Sequence, residues 1–165
     1  MSQRANALAK SLEDGARALT AFANSLSEEE WQMRLLTHDG RKTGVIVHHV
    51  AIVYPLEVEF AQSIARRDPA GITAPDINDM NAAHAQQNDT VTKEETLSLL
   101  ALNSAAAAEK IRSFTDEELD TAAPVPLYGN AVLTCQFILE DHAVRHSSHH
   151  LSRLQAARKA RAAKP

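Results

Sequence analysis

Apolar residues recur along the chain at helical rather than strand spacing. Leu8, Leu12, Leu19, Phe22 and Leu26 follow at intervals of four, seven, three and four, which predicts an amphipathic helix over about 3–25. Ser27 and Glu30 stand at capping-box spacing, so a short helix carrying Trp31 comes next. Beyond the polar turn His38-Asp39-Gly40-Arg41-Lys42, Thr43 is placed to cap a second long helix reaching about Arg67. That helix carries Val45, His49, Ile52, Val53, Leu56, Phe60 and Ile64 on one face. Pro55 brings no N–H and is expected to bend the helix or begin a new segment.

The stretch 68–89 is rich in Pro, Gly, Asn and Asp and reads as a crossover holding a short helix over about 76–87. Thr92 with Glu95 opens a third long helix, which Leu97, Leu100, Ser104, Ala108 and Ile111 carry to about Phe114. Thr115 and Glu118 start a brief turn, Pro124 to Gly129 forms a rigid loop, and Asn130 is the expected cap of a fourth long helix over about 131–160. The pattern predicts an all-α fold: a four-helix bundle with a long crossover between the second and third long helices, formed by 1–165 as a single domain. Val45, Ile52, Leu56, Phe60, Leu97, Leu100, Leu139 and Leu154 are the expected core.

Composition reinforces the helical reading, because aromatics are only 4% of the chain and alanine supplies much of the apolar content. A formal charge of −4 gives no overall attraction to phosphate backbones or anionic lipid, so neither nucleic acid nor a membrane is an expected partner. The basic stretch from Arg153 to Lys164 reads as a helix end whose cations complement the macrodipole. One cysteine, Cys135, excludes an intrachain disulfide, and with no leader-like opening the expected location is cytoplasmic. The longest apolar candidate, Val45 to Phe60, is interrupted by His48, His49, Pro55, Glu57 and Glu59.

Histidine changes the picture. Of eight, four fall between His142 and His150, and His48 and His49 are adjacent. His142 and His146 are four apart, so on an α-helix their imidazoles lie one above the other and can share a metal ion. They continue the apolar stripe of Cys135, Leu139 and Leu154 and should point inward, where a polar group needs a partner. His146 and His150 are also four apart and remain an alternative pair. A third ligand must come from another helix, and His49, on the most apolar face of the second long helix, is the inward candidate. Glu57, Glu59 and Asp141 are possible supporting carboxylates. Cys135 reads as packing, since nothing basic stands near it to form a thiolate.

Trp31 before a turn, Gly44-Val-Ile-Val-His48-His49-Val-Ala, and Asp141-His142-Ala-Val-Arg-His146-Ser-Ser-His149-His150-Leu together resemble the DinB-like metal-binding four-helix proteins. The resemblance spans about 5–158. It implies a divalent metal held by three histidines at positions matching His49, His142 and His146; imidazole suits zinc or nickel, and His149, His150, Asp141 and Glu57 are candidates for the surrounding shell. Many members carry Gln where this chain has His149. The segment Asn81-Ala-Ala-His84 also looks like a subgroup feature. The resemblance further implies a homodimer and either hydrolysis or thiol-dependent transfer or isomerisation of a small molecule, using a low-molecular-weight thiol. The alternative is a non-catalytic metal- or ligand-binding stress-response protein. No HExxH is present, which disfavours peptidase chemistry.

Overall fold

The computed structural model describes residues 2–35 and 40–163. Along them run α1 (Gln3–Asn24), α2 (Glu28–Gln32), β1 (Arg34–Leu35), β2 (Arg41–Lys42), α3 (Thr43–Ala65), α4 (Ala74–Gln87), α5 (Lys93–Arg112) and α6 (Asp116–Asp120). Next come β3 (Ala122–Val125), β4 (Ala131–Thr134), α7 (Cys135–Ile138), a π-helical segment (Leu139–Val144) and α8 (Arg145–Ala162). The last three join end to end as one C-terminal helical run. The protein is therefore mostly helical, as the apolar periodicity predicts, with two small antiparallel ribbons, β1–β2 and β3–β4.

Local chemistry sets most boundaries. Ser27 and Thr115 each make both bonds of a capping box, with Glu30 and Glu118, and the Thr92 hydroxyl accepts the Glu95 N–H. Thr43, the expected cap of α3, is instead its first residue, and its N–H donates to the Met33 carbonyl of the incoming ribbon. His38 and Asp39 of the predicted turn lie outside the described residues. Asn130 does not cap the last helix either. Gly129 and Asn130 both sit at φ 64°, in the left-handed region, and turn β3 back onto β4. An N-cap needs extended backbone, which Thr134 has, and its hydroxyl accepts the Phe137 N–H.

α5 packs on both α1 and α3, and α1 and α3 each pack on the C-terminal run as well. Leu12, Leu19, Ile46, Ile64, Leu100, Ile111, Leu139 and Leu154 close the interior between them. Gly44 lets the Trp31 indole lie against the first turn of α3, since a Cβ there would overlap three indole atoms. The indole N–H donates to the Val91 carbonyl and so ties α2 to the start of α5. Of the expected core, Ile52 and Leu97 are half-buried and Leu56 is 50% exposed. Leu56 faces a cavity rather than a neighbouring helix.

α3 is long and apolar enough to cross a membrane by length and composition, and 67% of its most apolar stretch is buried inside the protein. It runs unbroken through Pro55. Proline cannot donate to the carbonyl four residues earlier, that of Ala51. The Asn103 side-chain amide on α5 supplies the missing bond, donating to the Ala51 oxygen at 2.8 Å. The basic end of the chain folds back onto α2, with Arg158 on Glu30 at 2.7 Å and Arg161 on Glu29 at 2.5 Å.

Replacing Asn103 with Ala should cost about 1–2 kcal/mol of unfolding free energy by urea titration. In a Pro55→Ala background, where residue 55 donates to Ala51 itself, that cost should fall by at least half. Equal cost in both backgrounds would show that Asn103 does not serve this carbonyl.

Candidate metal centre

His49 lies two turns into α3 and is 6% exposed, with Val45, Val50 and the rest of the core around it. The C-terminal run faces it, with His142 inside the π-helical segment and His146, His149 and His150 on α8. Although His142 and His146 are four apart, the His142 ring packs on Phe60 and Tyr128, whereas that of His146 packs on His49. Regular α-helix resumes at Arg145, and His146 and His150 do stack, with ring centroids 4.7 Å apart.

Ligand atoms of His49, His146 and His150 all lie within 4.8 Å of one another, forming the metal-competent group found among the described residues. The His146 and His49 Nε2 atoms face each other at 3.2 Å. On its other side His146 Nδ1 meets Glu57 Oε1 at 2.5 Å, and Glu57 is itself buried. A carboxylate accepts only from an N–H, so the proton of neutral His146 sits on Nδ1 and its Nε2 presents a lone pair toward His49. Tyr54, one turn before Glu57, hydrogen-bonds Ser147, next to His146, and locks the two helices in register. His150 Nδ1 and Glu57 Oε2 are buried with no hydrogen-bond partner among the described residues.

Burial dominates the electrostatics. It lowers the pKa of His49 to about 3 and that of His150 to about 2, with neighbouring imidazoles adding to the effect. Both rings are neutral at pH 7, the form that binds metal.

His142 stands apart from the group, on the wall of the adjoining cavity, with its ring edge-on to Phe60 at 5.5 Å. The Tyr128 hydroxyl donates to Asp141, so its oxygen accepts from His142 Nε2 at 3.0 Å. That bond occupies Nε2 and leaves Nδ1 with the lone pair of the neutral ring. Asp141 also pairs with Arg145 at 2.9 Å. His149 is exposed and meets the edge of His150. Glu59 pairs with Arg66 at the surface, and Asn81 lines the cavity. Burial raises the Cys135 thiol to about 12, which keeps it protonated and suits a packing role. On the far side of His49, His48 Nδ1 and His84 Nε2 meet at 2.8 Å with rings stacked. Tyr128 escaped sequence reasoning, because its partners Asp141 and His142 are not near it in sequence, and Phe60 was readable as core but not as a neighbour of His142.

The cavity, about 900 Å³, reaches His49, His142 and His146 at one end and is walled largely by aliphatic side chains of α3, α4 and the linker between them. No family model, curated protein or solved structure matches the chain.

The two low pKa values fix the sign of a pH effect. The unfolded state, with histidine near ~6.5, takes up protons that the folded state refuses, so stability falls as pH drops below about 6.5 toward about 3. Metal-free protein should lose about 1 kcal/mol per buried imidazole between pH 7 and pH 5.5. Urea unfolding at the two pH values checks this, and the loss should shrink in His150→Leu. Stability equal or greater at pH 5.5 would contradict it.

Proposed function

We propose that His49, His146 and His150 hold one divalent ion, zinc or nickel, and that the protein is a metal-dependent hydrolase of small molecules. The four long helical runs, packed pairwise around one interior, are read as a four-helix bundle of the DinB-like kind, with α4 in the crossover. The observation that carries the reading is the 3.2 Å separation of the His49 and His146 Nε2 atoms. Two nitrogens bound at ~2.05 Å to one tetrahedral ion stand about 3.3 Å apart. The buried, unpartnered Nδ1 of His150 beside them adds a third imidazole whose polar atom wants an occupant.

A divalent ion there supplies Lewis acidity toward a carbonyl and a nucleophilic water near neutral pH. The chain does the rest. Glu57 holds the His146 ring in one orientation and tautomer and makes its free nitrogen more basic. His49 and His146 also line the cavity, so a molecule lodged in it lies beside them. His142, neutral because burial lowers its pKa, keeps its proton on Nε2 through Tyr128 and has its Nδ1 lone pair left to accept a proton. The structural reason for preferring His150 over His142 as ligand is that His150 shares the 4.8 Å group with His49 and His146 while His142 is engaged by Tyr128, and the role left to His142 is that of acid–base partner.

Elemental analysis of protein purified without a nickel column should find one ion per chain. His49→Ala, His146→Ala and His150→Ala should each weaken metal binding by at least ~100-fold, while His142→Ala keeps full stoichiometry and loses metal-dependent turnover of neutral p-nitrophenyl esters. Full stoichiometry in His150→Ala with loss in His142→Ala would contradict the ligand set. No metal-dependent ester turnover would contradict the hydrolase reading.

A further inference from the structure

The cavity beside the histidines has a chemistry of its own. Phe60, Ile72, Ile77 and Leu127 line it, and two further lining residues, Leu56 and Met80, are 50% and 47% exposed. Large apolar side chains left open along one cavity are costly in water unless something apolar covers them. Neither cation in the lining is free, since Arg66 is bound to Glu59 at 2.7 Å and Arg145 to Asp141 at 2.9 Å. Asp68 and the His146-bound Glu57 add further carboxylates, so acidic groups outnumber basic ones around the space. An anionic tail would meet no available cation and several fixed negative charges. At about 900 Å³ the volume is at the upper end for small-molecule sites.

We infer that the cavity takes an uncharged molecule with a long or bulky apolar part, oriented so that a single oxygen or nitrogen donor at its other end reaches the histidine cluster. This rests on the proposed metal site for the donor end alone. The apolar end stands on the cavity, and the two are separable by experiment.

Alkyl hydroxamates make the probe, because the hydroxamate chelates a metal and the tail varies freely. With zinc-loaded protein, octanohydroxamate should bind at least ~100-fold more tightly than acetohydroxamate by calorimetry, the six added methylenes leaving water for the cavity. A tail ending in carboxylate, as in 7-carboxyheptanohydroxamate, should lose at least ~10-fold of that gain. Leu56→Glu and Met80→Glu, both at exposed positions, should each remove at least ~10-fold of the octanohydroxamate gain and leave acetohydroxamate affinity and zinc content unchanged. Binding of 1-aminoanthracene, a neutral fluorescent probe with no chelating group, reads the cavity without metal and should be lost in the same two variants. If acetohydroxamate fails to bind while 1-aminoanthracene binds at Leu56 and Met80, the metal reading fails and the cavity reading stands. Equal affinity for the two alkyl hydroxamates, an undiminished carboxylate tail, or 1-aminoanthracene binding indifferent to both substitutions would overturn the inference.

Discussion

Three imidazoles packed into an apolar interior cannot all be protonated, and the fold keeps His49 and His150 neutral and fixes His146 on Glu57. Burial, with neighbouring imidazoles adding to it, holds His49 and His150 in the uncharged form. Glu57 is the only carboxylate bonded to the cluster among the described residues, and it touches His146 and neither of the others. One carboxylate orients one ring, and the remaining lone pairs converge on a shared space. A buried polar group without a partner costs on the order of 1–3 kcal/mol, so a site with orphaned His150 and Glu57 atoms is stable only if that cost is offset elsewhere or removed by an occupant.

Holding two helices at the spacing this cluster needs takes several independent bonds. Tyr54 and Ser147 fix α3 against α8 one turn from the histidines. Asn103 completes the hydrogen-bond ladder of α3 at Pro55, so His49 and Glu57 stand on one continuous helix on either side of the proline. Trp31 seated on Gly44 sets the start of that helix. At Gly15 α1 also comes close to the C-terminal run, where a Cβ would stand 3.2 Å from that of Ser147. Much of what makes the centre rigid is thus not in the centre.

The long helices were legible because apolar spacing and capping pairs are local signals: Ser27 with Glu30, Thr92 with Glu95 and Thr115 with Glu118 each announce a helix start within four residues. The β3–β4 ribbon was not, since Ala-Ala-Pro-Val and Ala-Val-Leu-Thr read as helix or loop until Gly129 and Asn130 both adopt positive φ. His49 and the possibility of Glu57 were readable from the polarity of α3. The choice between His142 and His150 was not, because both stand four residues from His146, and only the distant partners Phe60 and Tyr128, brought up by the fold, engage the His142 ring away from the group. Leu56 failed as a core residue for a related reason: the stripe that contains it faces a neighbouring helix over part of its length and a cavity over the rest.

Anomalous diffraction from crystals of zinc-loaded protein, collected at the zinc edge, tests the central claim most directly. A single peak at ~2.0–2.1 Å from one nitrogen each of His49, His146 and His150, with His142 still on Tyr128, is the result this account requires. A peak shared by His142 and His146, a peak between His48 and His84, or no peak at all would contradict it.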